Sequence, residues 1–315
     1  MCLVLGGAVL LAQTQDSAIR TNVPLVLLPV SVTTPKGEFI DGLTEDDFVV
    51  NDEGVPQKIH LDTSDTLLSP VSLVIAVQSS SISAAAIAKI RKTGSLIRPL
   101  ITGERGQAAI IAYDAEVRVL QDFTGDADLL TQAFAQIKAR SPKDGKLLEA
   151  LAQGVTMLEA RPPSDRRVLL FIGESRDRGS KQALPAVIEV AQRAGVAVYS
   201  LTYSAQKTGW TVRPSDVPPP PDTDFLGGIG ELLRFGKQDA ADEMARATGG
   251  QKLSFTTQNG LESALGRTGQ EIHSQYLVSF APRESPAERF HRVNVRIVSK
   301  PNAVVRSRPG YWPQK

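Results

Sequence analysis

The sequence predicts an α/β protein: a doubly wound, mostly parallel sheet with one antiparallel edge strand, inserted in a small all-β domain built from both chain ends. Three observations carry this. Val71–Val77 and Arg167–Ile172 are nearly unbroken apolar runs, the signature of strands buried on both faces. Between and after them, strand-like runs alternate with segments of helical periodicity, which implies parallel strands covered by helices. The flanks read as strands too: the first as β-branched runs with hairpin turns, and the last with the apolar/polar alternation of a half-buried strand over His291–Ile297.

Length and composition are those of an ordinary globular protein. The chain has 315 residues, 42% hydrophobic and 22% charged. Its 35 basic and 34 acidic side chains give a formal charge of +1, and no basic stripe is present, so nucleic acid is not an expected partner. The lone cysteine, Cys2, excludes an intramolecular disulfide and a cysteine-based zinc site.

The opening MCLVLGGAVLLAQTQ holds an apolar run of about ten residues, too short to span a bilayer but suited to the core of a signal peptide. It lacks a basic start. The expectation is a leader remnant and linker over 1–20, cut near Ala12 or Gln13, with the start codon miscalled and the protein secreted or periplasmic. No integral membrane span is expected.

The first β part covers 21–66. Val23–Thr33 is β-branched, and the turn Pro35-Lys36-Gly37 with Glu38-Phe39-Ile40 predicts a hairpin. Thr44–Asp47 has capping-box spacing and predicts a helical turn. Phe48–Val50 and Gln57–Leu61 flank Asp52-Glu53-Gly54 as a second hairpin.

The α/β part covers 67–272. Val71–Val77 is its first strand, and Ala84–Ile101 a helix broken at Gly94. Gln107–Ala112 and Glu116–Leu120 pair across the turn at Asp114 as the antiparallel edge. Helices at Leu129–Ile137 and Leu147–Leu158 precede the strand Arg167–Ile172. A helix with Pro185 in its first turn and a strand at Val196–Thr202 follow. The insertion Thr211–Asp222, with consecutive prolines from Pro218 to Pro221, reads as extended. A helix to Thr248, a strand at Gln251–Phe255 and a helix at Leu261–Ile272 complete the part.

The last β part, 273–315, holds strands at Gln275–Ala281, His291–Ile297 and Ala303–Ser307. In the second, His291, Val293, Val295 and Ile297 share a face. Three strands bury too little alone, so the two chain ends are expected to combine.

VSLVIAV running into a serine cluster, AYDAEVRVLQDFT, LLEALAQGVTML, RRVLLFIGES and EMARATGGQKLSF occur in that order. The order resembles the von Willebrand factor A family. The flanks GLTEDDFVVNDEGVPQKI and QYLVSFAP…RVNVRIVSKPNAVVRSRPGYW resemble a bacterial, acidobacterial-type subgroup of von Willebrand A-related proteins. The resemblance implies protein recognition or adhesion through the top of the sheet. In the family a divalent cation sits there, held by an Asp-x-Ser-x-Ser loop, a threonine and a further aspartate. Magnesium needs oxygen ligands that include one or two carboxylates.

Mapped onto this chain, the loop reads Gln78-Ser79-Ser80-Ser81-Ile82, so Gln78 replaces the aspartate and Ile82 the last serine, with Ser80 between. Shifting by one residue selects Ser79, Ser81 and Ser83 and still supplies no carboxylate. The threonine falls on Gly145 or Lys146, and the last aspartate on Ile172. A degenerate site without metal or cofactor is therefore expected, the alternative being a rearranged metal site that recruits Glu174 and Asp177.

Two readings of the serines stand side by side. Ser79, Ser80, Ser81 and Ser83 before a helix, with Lys146, Glu174 and Trp210 around them, form a surface for a partner carboxylate; or Ser83 is an N-cap and the others satisfy loop amides. The insertion is either part of that surface or a plain loop. An enzymatic alternative rests on Gly173-Glu174-Ser175-Arg176-Asp177, which resembles the Gly-x-Ser-x-Gly elbow of hydrolases without its final glycine. The histidines available as base, His60, His273 and His291, all lie in or beside the β flanks. A non-catalytic protein-binding module is the expectation.

Overall fold

The structure, a computed structural model, describes residues 25–62, 69–140, 144–203, 239–282 and 289–313. In chain order, β1 (Val26–Thr33), β2 (Phe48–Asp52), β3 (Val55–Pro56) and β4 (Ile59–Asp62) come first. They are followed by β5 (Val71–Gln78), α1 (Ala84–Ile90), β6 (Gln107–Tyr113), β7 (Val117–Thr124), α2 (Ala127–Gln136), α3 (Leu147–Glu159) and β8 (Arg166–Gly173). Next are α4 (Leu184–Arg193), β9 (Ala197–Thr202), α5 (Ala240–Thr248), β10 (Lys252–Ser254) and α6 (Gln258–His273). The chain closes with β11 (Tyr276–Phe280), β12 (His291–Ile297), β13 (Val304–Arg306) and β14 (Gly310–Tyr311).

A six-stranded sheet runs β10-β9-β8-β5-β6-β7, parallel except for β7. Every residue of β5 is buried, as its apolar run requires at the sheet's centre. Odd-numbered side chains of β5 from Val71 to Val77 pack against α1, α2 and α6. Val74 and Ala76 pack against α3, α4 and α5 on the other face. From β5 the chain moves one way to β6 and later returns to β8 on the other side. The carboxyl ends of β5 and β8 therefore flank the point where strand order reverses, the usual crevice of such sheets.

The remaining strands form two antiparallel sheets, β13-β1-β11-β4 and β14-β12-β2-β3, which share one apolar core. Each combines strands from both ends of the chain. The alternation of β12 is as its sequence predicts, with His291, Val293, Val295 and Ile297 buried.

Three local expectations are corrected. Glu38-Phe39-Ile40 forms no regular strand: the turn closes, with Gly37 N–H donating to Thr34 C=O, and the segment returns along β1 through one bridge, Phe39 to Thr33, and the bonds from Thr34 N–H to Glu38 C=O and from Ile40 N–H to Val32 C=O. The second hairpin is β2–β3, turning on Glu53 and Gly54, both with positive φ; β4 leaves it to pair with β11. The helix expected over Ala84–Ile101 is α1, a short 3-10 turn and a π-helical stretch at Arg98–Thr102. Gly94 marks the break because a Cβ there would lie 2.9 Å from the Thr131 backbone, so only glycine lets the two segments touch. The capping box holds: the Asp47 carboxylate accepts from the N–H and the hydroxyl of Thr44.

Candidate functional site

Four segments meet at the carboxyl edge of the parallel sheet, and main-chain hydrogen bonds lace them together. Ser79 N–H donates to Tyr113 C=O at the end of β6, and Arg140 N–H donates to Ser79 C=O. Lys146 N–H donates to Asp114 C=O, and Gly145 exchanges two bonds with Arg178 beyond β8.

Gln78, the last residue of β5, sits at the centre and is 1% exposed. Glu174 N–H approaches its side chain at 2.7 Å. A backbone N–H can only donate, so the atom facing it is Oε1. Nε2 then points the other way and donates to Ser80 Oγ at 2.9 Å. Bare backbone makes room for this amide: a Cβ on Gly145 would lie 2.7 Å from Nε2, and one on Gly173 would lie 2.9 Å from Oε1.

The serines are mostly turned inward. Ser79, Ser80 and Ser83 are buried, whereas Ser81 and Ile82 are half-buried. Ser80 Oγ lies 3.3 Å from Ser83 Oγ. Ser83 occupies the N-cap of α1, yet its side chain makes no capping bond, and α1 is only seven residues long. Ser79 Oγ joins a pair that sequence reading missed, Asp114 and Arg118. The guanidinium grips the Asp114 carboxylate with both nitrogens, at 3.0 and 2.6 Å, and Nη2 also donates to Ser79 Oγ. Asp114 is 1% exposed. Burial by itself would raise its carboxyl, but the hydrogen bonds from Arg118, Glu116 N–H and Ser79 outweigh it and hold the group below its usual range. The signal for this pair is the i, i+4 spacing of Asp114 and Arg118 across the β6–β7 turn.

The mapped positions do not converge as a set. Gln78, Ser80 and Gly145 meet, and Glu174 joins them through its main chain. Ile172 belongs to the core layer under α1 and α6, on the face opposite the one that Ala76 and Gln78 share by alternation. Lys146 and Glu174 are half-buried, and the Glu174 carboxylate lies 3.1 Å from Arg178. Asp177 turns inward, but as a helix cap: it accepts from Leu148 N–H at the start of α3. Trp210 and the insertion Thr211–Asp222 lie outside the described residues.

These residues do not fit a divalent cation. Gln78 points a donor, not a lone pair, at Ser80, and its oxygen is already engaged by Glu174 N–H. Among the described residues no three His, Cys, Asp or Glu side chains converge as ligands. The hydrolase constellation is not assembled either. The chain leaves β8 at Gly173 and does not enter α4 until Leu184, so Ser175 stands on a loop rather than at a strand-to-helix elbow. His60 faces Glu45, His273 faces Arg166, and His291 is enclosed by Asp52 and Tyr311.

The class that this geometry defines is a doubly wound α/β protein with an antiparallel edge strand and, among the described residues, a polar carboxyl edge. No protein-family model matches the chain, and no curated protein does. Among solved structures, it is similar to the conserved hypothetical protein BatB from Bacteroides thetaiotaomicron: 14% identity, TM-score 0.48, covering 64% of this chain and 97% of that one. An aerotolerance-related membrane protein from Bacteroides fragilis, solved with multiple mutations to serines, gives 14% identity and TM-score 0.47, covering 64% and 99%. A von Willebrand factor type A protein from Catenulispora acidiphila gives 13% identity and TM-score 0.46, covering 72% and 48%. Among the described residues, no helix is long and apolar enough to cross a membrane.

Proposed function

We propose that this chain is a non-catalytic protein-interaction module of the von Willebrand A-related kind, which binds a protein partner through the carboxyl edge of its parallel sheet without a metal ion. In this reading the α/β part, 67–272, is inserted in a β-domain made of 21–66 and 273–315, and the protein is exported. The observation that carries the proposal is the Gln78 carboxamide. It fills the crevice at the reversal of strand order, and its bonds to Ser80 and Glu174 N–H join loops that a cation would otherwise gather. The order of the sequence segments and the antiparallel β7 support the family; the engagement of each histidine away from Ser175 supports the absence of catalysis.

The face left to a partner is formed by Ser81, Lys146 and the outer parts of Arg140 and Arg178. β9 ends at Thr202 on this edge of the sheet, and the segment carrying Trp210 follows it in the sequence. The test is partner capture by the intact chain, by a chain lacking Thr211–Asp222 and by Lys146→Glu, each with and without EDTA. Binding is expected to resist EDTA and to fall in both variants. Loss of binding with EDTA, or full binding by both variants, overturns the reading.

A further inference from the structure

The outer face of the sheet β14-β12-β2-β3 carries charge that the fold does not use. Alternation in β12 buries His291, Val293, Val295 and Ile297 and turns Arg292, Asn294 and Arg296 outward, all three exposed. In the linear sequence these cations are scattered among valines; on the sheet they stand in one row. The register carries the face across the sheet: Arg296 lies beside Val49, Asn294 beside Asn51, and Asn51 beside Pro56. Arg292 lies beside Gly310. No carboxylate belongs to this face among the described residues.

These arginines have no structural counterpart. Arg193 and Arg246, also exposed, each answer an acid, Glu189 and Asp242. Arg292 and Arg296 have no ion pair among the described residues. Their cross-strand neighbours, Gly310 and Val49, offer no opposite charge, so the cations add nothing to strand pairing. Nor do they guard an edge, because β12 is an inner strand. The acids at the ends of the face are held at turns: Glu53 accepts from Arg292 N–H, and Asp47 from Thr44. Four residues of strand set the two arginines roughly 13 to 14 Å apart, with the Asn51 and Asn294 carboxamides between them.

The make-up of the face selects its partner. An arginine fork grips a carboxylate or sulfate with two N–H groups, and a carboxamide meets a hydroxyl as donor or acceptor. Cations at intervals with neutral amides between them match a polymer that alternates acid groups with hydroxyls. A globular protein needs an aromatic or large apolar anchor, and this face has only half-buried Val49 and Pro56. Phe290, which lies against Gly310 at the end of the face, packs on Trp312, and Arg193 covers the indole. Single-stranded nucleic acid therefore finds no free ring for its bases, and an anionic membrane calls for a denser cluster of cations.

We propose that this face is a second binding surface, separate from the carboxyl edge of the parallel sheet, and that its ligand is an acidic polysaccharide: Arg292 and Arg296 hold acid groups along the polymer, and Asn51 and Asn294 hold the hydroxyls between them.

The test is binding of the intact chain to immobilised polygalacturonate at low ionic strength, read by biolayer interferometry. Binding is expected, and added salt should weaken it. Arg292→Gln/Arg296→Gln should weaken it about tenfold, and Asn51→Ala/Asn294→Ala severalfold. These side chains lie on the surface, so thermal melts of both variants should match the parent. Lys146→Glu, on the α/β part, should bind the polymer as the parent does, which separates this surface from the one tested by partner capture. Dextran, poly-glutamate, oligothymidylate and phosphatidylserine vesicles should compete poorly. The proposal fails if polygalacturonate does not bind, if either pair can be replaced without loss, or if Lys146→Glu abolishes binding. It fails equally if poly-glutamate, oligothymidylate or the vesicles compete as well as free polygalacturonate, which would assign the face to an acidic protein, a nucleic acid or a membrane.

Discussion

Gln78 and Glu271 occupy opposite ends of the parallel sheet, and each is 1% exposed, yet one is neutral and the other charged. Glu271, near the end of α6, lies at the amino edge. Its Oε1 accepts from Ser31 on β1 and Tyr199 on β9, and its Oε2 meets Arg306 of β13 at 2.6 Å. Three elements from distant parts of the chain thus deliver one cation and two hydroxyls to a single carboxylate. At the carboxyl edge the arginines are already committed to Asp114 and Glu174, and an amide stands in the central position. The difference teaches that burial alone does not decide charge. A buried acid persists where the fold supplies a cation and hydrogen bonds to it.

The largest expected effect breaks the charged member of the comparison. Glu271→Gln keeps size and shape but leaves Arg306 facing an amide. Removing one partner of a buried pair costs several kcal/mol; because Arg306 keeps a solvent-facing part, we expect about 3 kcal/mol, a fall in Tm of roughly 10 °C. Urea unfolding measures it, and a loss below ~1 kcal/mol would mean that packing, not charge, holds this junction.

The middle effect concerns the room made for Gln78. Gly173→Ala would drive a methyl to 2.5 Å from Tyr113 Oη, 2.6 Å from the Phe171 ring and 2.9 Å from Gln78 Oε1. Two of those neighbours are buried rings, so about 2 kcal/mol is expected, the range of overpacked cores. Gly145→Ala meets chiefly the end of the Gln78 side chain, which can turn aside, and should cost about 1 kcal/mol. Equal losses, measured by thermal melts of both variants, would remove the distinction between a pocket wall and a movable occupant.

Much of the fold was legible because its strands advertise their surroundings. The unbroken run of β5 placed it at the sheet's centre, and the alternation in β12 placed His291, Val293, Val295 and Ile297 on one buried face. The departure of β4 from the β2–β3 hairpin was hidden: β2 and β4 are both short and mix apolar with polar residues, and the partner of β4 is β11, more than two hundred residues away. Of the positions that the sequence mapping names, Gln78, Ser80 and Gly145 lie together at the end of β5. Ile172 lies apart from them, because strand parity turns that residue to the opposite core layer. Tyr113 and Arg118 escaped notice since nothing local shows that a turn Asp will be buried, or that a strand-end tyrosine will point across a neighbouring strand.

The smallest effect compares two buried acids, Glu271 and Asp114, the latter held by Arg118 beside the Gln78 pocket. Asp114→Asn removes the charge but keeps an acceptor for Glu116 N–H and Ser79. Arg118 keeps its bond to Ser79 Oγ when released, and its exposed part regains water, so the cost at neutral pH should be about 1 kcal/mol. The pH dependence fixes the cause. The carboxyl is held below its ordinary value in the folded chain, so the unfolded chain takes up the proton first as pH falls. The stabilisation is present above the unfolded value of about 3.9 and disappears as pH drops through the lower folded value. The gap between parent and Asp114→Asn should therefore be widest at neutral pH and close in acid, as read by urea unfolding at pH 7 and near pH 3. A gap that stays constant would assign the loss to the altered hydrogen bonds alone. One that closes shows that the charge of Arg118 is spent on Asp114.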